Sequence, residues 1–310
     1  MKIYVNAPNE NWILDRYKTE WNTYNSEYST TDIASADIIW LLDSYTWDRI
    51  DPFLLKNKIV VSTITHIAPE KFDYDAFKRK DQFVNYYHAM CNRSGDDARK
   101  ITNKPVTSLQ FWVNQNIWKE LPETNNLRKT YDLPENKVLV GSFQRDTEGS
   151  DLKSPKLVKG PDLFCDYMEI MKDSIGENLE VVLAGWRRQY VMNRLDSAGI
   201  KYHYFEMCDF ETLNKLYNCI DLYVVSSRIE GGPQAVPECA ITRTPIISTD
   251  VGLAPEILAP ESIDNNLSLA IPNLDYAYEK VRQYSMENHL DKFVDFFKSI
   301  YNEITFSEIQ

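Results

Sequence analysis

Two glutamates separated by seven residues stand where an apolar strand hands over to a helix. The segment runs Ser226-Ser227-Arg228-Ile229-Glu230-Gly231-Gly232-Pro233-Gln234-Ala235-Val236-Pro237-Glu238 and follows the apolar run Leu222–Val225. Gly231 and Gly232 permit tight turning and a close approach of backbone to a ligand. Pro237 has no N–H and is tolerated best in a first helical turn, so the pattern predicts a helix starting around Pro233–Ala235. Backbone N–H groups at such a start suit a phosphate or carboxylate. Glu230 then lies in the loop and Glu238 just inside the helix. Carboxylates there could accept charge-assisted hydrogen bonds from sugar hydroxyls, about 1.5–3 kcal/mol each. An early-helix glutamate also has a plain structural use, because the helix dipole favours it by roughly 0.3–1 kcal/mol.

A second segment supplies the opposite charge. Val138-Leu139-Val140-Gly141-Ser142-Phe143-Gln144-Arg145 ends a strand, and a polar loop leads to Lys156-Leu157-Val158-Lys159-Gly160-Pro161-Asp162. Arg145, Lys153, Lys156 and Lys159 place four cations within 15 residues. They stand out because 34 Lys/Arg against 46 Asp/Glu leave a net charge of −12. Residues 1–130 hold 17 of each sign, so the whole imbalance falls in 131–310. Arginine offers phosphate oxygens a planar fork and lysine a point charge. Arg145 and Lys159, at strand and helix ends, are the phosphate candidates, whereas Lys153 and Lys156 read as a solvated loop. So acidic a chain is unsuited to covering nucleic-acid phosphates or adhering broadly to anionic lipid. Any anion must be held locally.

The elements that position these residues follow from hydrophobic patterning. Apolar runs at Lys2–Val5, Ile38–Leu42, Lys58–Ser62, Val106–Leu109, Val138–Gly141, Glu180–Ala184, Lys201–Phe205, Leu222–Ser226 and Pro245–Ser248 are mostly continuous rather than alternating. That is the mark of strands covered on both faces in a parallel sheet. Helix-like stretches at Pro161–Ser174, Arg188–Ala198, Phe210–Asn218 and Pro233–Thr242 fall between them, which predicts an α/β fold. The polar, proline-bearing stretch 120–126 and the change in charge suggest units of 1–125 and 126–285. Residues 286–310 read as one amphipathic helix (Leu290, Phe293, Phe296, Phe297, Ile300, Tyr301). Five cysteines without a CxxC or zinc pattern point to a reducing compartment. Met1–Val5 is too short for a secretory leader, and no apolar run approaches the ~18 residues of a membrane span. The expectation is a cytoplasmic protein without a strong membrane signal.

Taken in order, the two charged segments resemble the retaining glycosyltransferases of family 4, whose GT-B fold consists of two facing Rossmann-like domains. Glu230-x7-Glu238 matches that family's paired-glutamate motif. Thr244-Pro245-Ile246-Ile247, Asp250-Val251-Gly252 and Glu256 match its next strand and glycine turn. Gly141-Ser142-Phe143-Gln144-Arg145 with Lys159-Gly160 resembles its phosphate-binding stretch. The resemblance covers about residues 138–260 well and the N-terminal third in outline. It implies transfer of a hexose-type sugar, with retention, from a UDP- or GDP-linked donor to a glycan or glycoprotein hydroxyl, without a metal or other cofactor. It also implies a C-terminal helix packed on the N-terminal domain.

Residue by residue, the resemblance gives Arg145 and Lys159, in the stretch that includes Gly141 and Ser142, the donor diphosphate. Glu238 would take the ribose. Glu230, with Gly231, Gly232, Gln234 and Ala235, would hold the transferred sugar and the growing leaving-group charge. Tyr204, Phe205, Glu206 and Met207 would lie near the base. His66, after the strand Lys58–Ser62, resembles an active-site histidine, so His66 joins Glu230, Arg145 and Lys159 as a candidate for catalysis. Trp12, Asp15 and Arg16 could meet an acceptor, and Trp12 and Trp112 could stack on a sugar face. His88, His203 and His289 have no evident companion. Two rival readings stay open: a nucleotide-sugar epimerase on the same fold, and a non-catalytic sugar-nucleotide-binding or scaffold protein.

Overall fold

A computed structural model describes residues 1–10, 13–122 and 124–307. The chain divides into two compact units, residues 1–111 with 289–310, and residues 112–288. In the first, strands β1 (Ile3–Asn6), β2 (Ile38–Leu41), β3 (Ile59–Ile64), β4 (Tyr86–Ala89) and β5 (Val106–Ser108) form a parallel sheet in the order β1-β2-β3-β4-β5. In the second, β6 (Val138–Ser142), β7 (Leu179–Ala184), β8 (Tyr202–Phe205), β9 (Leu222–Val225) and β10 (Ile246–Ser248) form a parallel sheet in the order β10-β9-β6-β7-β8. The strand order reverses between β6 and β9. Open parallel sheets bind ligands outside the carboxyl ends of their strands at such a switch point.

Continuous apolar runs succeed as sequence signals because both faces are covered. All six residues of β7 are buried, and Val140, Phe164, Met168, Val181, Leu183, Val224 and Ile247 share one core. Strand β4 is the exception that sequence patterning does not anticipate, since Tyr86-Tyr87-His88-Ala89 is rich in polar atoms. Those of His88 are satisfied internally. Trp40 Nε1 donates to Thr63 Oγ1 at 2.9 Å, Thr63 Oγ1 lies 3.0 Å from His88 Nδ1, and His88 Nε2 lies 2.6 Å from the Leu109 carbonyl. A carbonyl can only accept, so the proton sits on Nε2 and the Thr63 hydroxyl donates to Nδ1. Burial pushes His88 down to a pKa of about 4, which keeps it neutral.

The C-terminal helix, Met286–Ser307, belongs to the first unit from His289 onward. Phe293 and Phe297 are fully buried. Their rings lie 5.6 and 4.9 Å from that of Trp40, and Phe293 also stacks on Phe111 at 5.6 Å. Burying such a side chain contributes about 1.5–3 kcal/mol. His289 finds a partner there too, with Nε2 2.7 Å from the Gln110 carbonyl.

The units divide at 111/112, earlier than the polar stretch 120–126 suggests. Val113 N–H donates to the Tyr284 carbonyl at 2.8 Å, and Met286 N–H donates to the Val113 carbonyl at 3.0 Å. Trp118 is buried edge-on against Phe210 and Tyr217. Lys119 and Leu121 donate backbone N–H groups to the side chains of Asn214 and Asn218. Residues 112–122 therefore pack with the second unit, and a polar composition marks a solvated surface rather than a boundary. Cys91, Cys165, Cys219 and Cys239 are buried thiols and Cys208 is half-buried.

Candidate functional site

Both charged segments end up at the carboxyl ends of β6 and β9, on either side of the switch point. Lys159 Nζ forms an ion pair with Glu230 Oε1. Ser227 Oγ lies 3.3 Å from the same carboxylate oxygen. Gln144 ties the two loops together: its Nε2 donates to the Lys159 carbonyl at 2.9 Å, and its Oε1 accepts from Ser227 Oγ at 3.3 Å. Two glycines make the approach possible. Gly160 precedes the helix Pro161–Ile175 at φ +61°, and a Cβ there would stand 1.7 Å from the Ser226 carbonyl oxygen. Gly252, at φ +50°, presses against the Glu230–Gly231 backbone, where a Cβ would stand 2.2 Å from the Gly231 oxygen.

Arg145 is half-buried, with Nε donating to the Thr147 carbonyl at 2.8 Å. Lys153 is exposed, as its solvated-loop reading requires, but Lys156 is not. Lys156 is half-buried, and its pKa is lowered by burial first and then by the charges of Lys159 and Arg145. The reading of Lys156 as a solvated loop residue is corrected accordingly: it belongs to the same cationic cluster. Behind the cluster lies an ion pair that sequence reasoning missed. Arg188 is fully buried, and its Nε donates to Asp146 Oδ2 at 3.0 Å. It also donates to the Ser142 carbonyl and, at 3.1 Å, to Ser142 Oγ. Ser142 thus engages Arg188, and Gly141 is a packing glycine whose Cβ would stand 2.4 Å from Ile220 Cδ1. No spacing rule links Asp146 to Arg188 across 42 residues; only the pairing of β6 with β7 brings them together.

The helix after β9 spans Ala235–Thr242, within the expected start, with Gln234 at its cap. Gly231 is buried and Gly232 half-buried in the preceding loop. Glu238 is 4% exposed, and the Tyr217 hydroxyl donates to its Oε2 at 3.0 Å. Tyr217 packs against Phe143 and Tyr223 at 5.0 and 5.5 Å. Burial, and then the Glu238 charge, hold the Tyr217 pKa well above its ordinary value, so the hydroxyl stays a donor. Tyr217 carries no sequence signal, because on the helix Phe210–Cys219 it reads as one more core aromatic. At the end of β8, Tyr204 donates to the Gly185 carbonyl at 3.0 Å, Phe205 is half-buried, Glu206 is exposed, and Met207 is 78% exposed. His203 gains a partner in Glu180, 2.6 Å away.

In the first unit, His66 is exposed just after β3, with Nδ1 3.4 Å from Thr65 Oγ1. Asp15 accepts from the N–H groups of Asn9 and Glu10 at 2.8 Å each, which folds the loop after β1 onto the helix Ile13–Tyr24. Arg16 is buried beside Glu20, and Trp112, in the second unit, is a buried core aromatic. Trp12 lies outside the described residues. Among the described residues no group of three or more His, Cys, Asp or Glu is gathered to hold a metal ion. No helix among them is long and apolar enough to cross a membrane.

Residues 152–283 match the family model described as Glycosyl transferases group 1. No curated protein matches the chain by sequence. Solved structures match it along nearly its whole length. Anabaena HepE in complex with UDP and glucose has a TM-score of 0.78 at 10% identity, covering 96% of this chain and 99% of that one. The same protein with UDP-glucose gives 0.73 at 11% identity, covering 96% and 99%. Sucrose-phosphate synthase from Thermosynechococcus elongatus gives 0.67 at 13% identity, covering 96% and 81%. The chain therefore has the GT-B fold of these structures, and its second unit carries the glycosyltransferase group 1 match.

Proposed function

We propose that the protein is a retaining glycosyltransferase that moves a hexose-type sugar from a UDP- or GDP-linked donor to a glycan or glycoprotein hydroxyl. The observation that carries this reading is the Lys159–Glu230 ion pair at the switch point, flanked by Arg145 and Lys156 in an otherwise acidic half of the chain. Cations fixed there meet the charge that develops on the diphosphate as the glycosidic bond breaks. Such preorganised groups act most strongly where charge grows in the transition state. Glu230 holds the Lys159 ammonium in place and offers carboxylate oxygens to hydroxyls of the sugar. Glu238, oriented by Tyr217, takes the ribose, and the end of β8 from Tyr204 to Met207 takes the base. His66 is assigned to catalysis with Glu230, Arg145 and Lys159, and Asp15 and Arg16 of the same unit as His66 to the acceptor. Side-chain cations perform the neutralisation, so no metal or other cofactor is assigned, and the setting is the cytoplasm. The match of residues 152–283 and the nucleotide and sugar held by Anabaena HepE support the donor class.

The test is a panel of UDP- and GDP-linked sugars with saccharide acceptors, scored by nucleoside diphosphate release and by the anomeric configuration of the product. Lys159→Met and Glu230→Gln should each lower turnover about 100-fold or more. Failure of every donor to bind or turn over refutes the reading. Conversion of donor without acceptor would make the protein an epimerase. Full biological activity of Glu230→Gln would make it a scaffold.

A further inference from the structure

The residues Trp186-Arg187-Arg188, just past β7, take three different positions. Arg188 is buried against Asp146, whereas Trp186 is 55% exposed. Arg187 has a φ of +62°, a left-handed conformation unfavourable for a side chain with a Cβ. Strain of this kind gathers at ligand sites. Here it turns the Arg187 carbonyl onto the loop after β6, where it accepts from Asp146 N–H at 3.2 Å and Thr147 Oγ1 at 3.3 Å. The guanidinium carbons of Arg187 and Arg145 lie 5.4 and 5.9 Å from the centre of the same Trp186 ring. Two like charges are thus gathered on one indole. Arg187 donates to the Gly149 carbonyl through Nη2, but its Nε is buried without a hydrogen-bond partner. A buried donor left unpaired is unfavourable and calls for an acceptor. The Arg145 pKa is lowered, by burial first and then by the Arg187 charge, with Glu148 offsetting part of this.

We propose that Arg187 is a second guanidinium ligand of the donor diphosphate, gripping it with Arg145 on the Trp186 platform. The proposal rests on the donor reading above. It adds a cation from the segment just past the neighbouring strand β7, outside the Gly141–Arg145 and Lys159–Gly160 segments. The exits of β6 and β7 adjoin because Ser142 pairs with Leu183. A diphosphate has enough oxygens to occupy both planar forks, and one of them would satisfy the orphaned Nε–H.

Calorimetric titration of the full chain decides it, with UDP, GDP, uridine and inorganic pyrophosphate as probes. Arg187→Gln should weaken the bound nucleoside diphosphate and pyrophosphate about tenfold or more, as expected for one charge-assisted contact. Uridine binding and the melting temperature of the unliganded protein should stay unchanged. Arg187→Gly, which suits the left-handed backbone, serves as the second variant and should show the same loss. Unchanged affinity for diphosphate in both variants overturns the proposal. So does an equal loss for uridine, which would make Arg187 a brace for the loop at Gly149. A wild-type protein that binds neither UDP, GDP nor pyrophosphate overturns the donor reading itself, and the proposal with it.

Discussion

Gly160→Ala should damage the second unit far more than Gly199→Ala, although the two backbones are nearly the same. Gly160 has φ/ψ of 61°/40° and Gly199 has 63°/35°. A side chain in this left-handed region adds about 1–2 kcal/mol of strain at either position. Their surroundings differ. At Gly199 the new methyl would meet Lys172 Nζ at 3.0 Å, the far end of a flexible side chain that can move aside. At Gly160 it would stand 1.7 Å from the Ser226 oxygen and 2.7 Å from its carbonyl carbon. Both are backbone atoms of the loop after β9, held by the Gln144 and Ser226 hydrogen bonds to the Lys159 carbonyl. Relieving that overlap adds about 1–3 kcal/mol. The totals are about 1–2 kcal/mol for Gly199→Ala and about 2–5 kcal/mol for Gly160→Ala. In a unit of this size each kcal/mol lowers the melting temperature by about 2–4 °C. Urea unfolding followed by far-ultraviolet circular dichroism, with slopes compared, measures the difference. Gly160→Ala should also weaken nucleoside diphosphate binding, because it displaces Lys159, whereas Gly199→Ala should not. Equal destabilisation by the two variants would refute the claim that the β9 loop sits against Gly160.

Arg188→Met leaves Asp146 charged and buried, so it should destabilise the protein by about 3–5 kcal/mol. Arg188→Met combined with Asp146→Leu should recover much of that loss in the same unfolding assay. Tyr217→Phe removes a hydrogen bond to a carboxylate, typically about 1.5–3 kcal/mol, and should raise the donor KM more than it lowers kcat. His88 is held down to a pKa of about 4 in the fold. The unfolded chain therefore takes up this proton first, below about pH 6.5, while the folded chain does not. Its contribution to stability is complete above that pH and falls by about 3 kcal/mol as the pH drops to about 4. Unfolding free energies measured across this range should show the slope, and His88→Gln should flatten it.

Parts of the fold were legible for definable reasons. Strands buried on both faces, such as β7, show as unbroken apolar runs, whereas β4 lacks that mark because its His88 is satisfied by Thr63 and Leu109, more than twenty residues away on either side. The helix after β9 was legible because the missing N–H groups of Pro233 and Pro237 constrain the backbone locally. The candidate site was legible as two short segments, because loops at strand ends keep their charged and glycine residues in sequence order.

What the sequence determined by itself is therefore local: residue types, periodicity, and turn chemistry that depends on neighbours a few positions away. Tertiary structure alone decided which charges meet. It paired Lys159 with Glu230 across 71 residues and Arg188 with Asp146 across 42. It brought Lys156 out of the solvent, gave Glu238 its Tyr217, and set Arg187 beside Arg145. The division at residue 111 was also set this way, by where Val113 and Trp118 find partners. Electrostatic and packing energies depend on distance through space, and a linear chain carries that distance only once parallel strands have set their order.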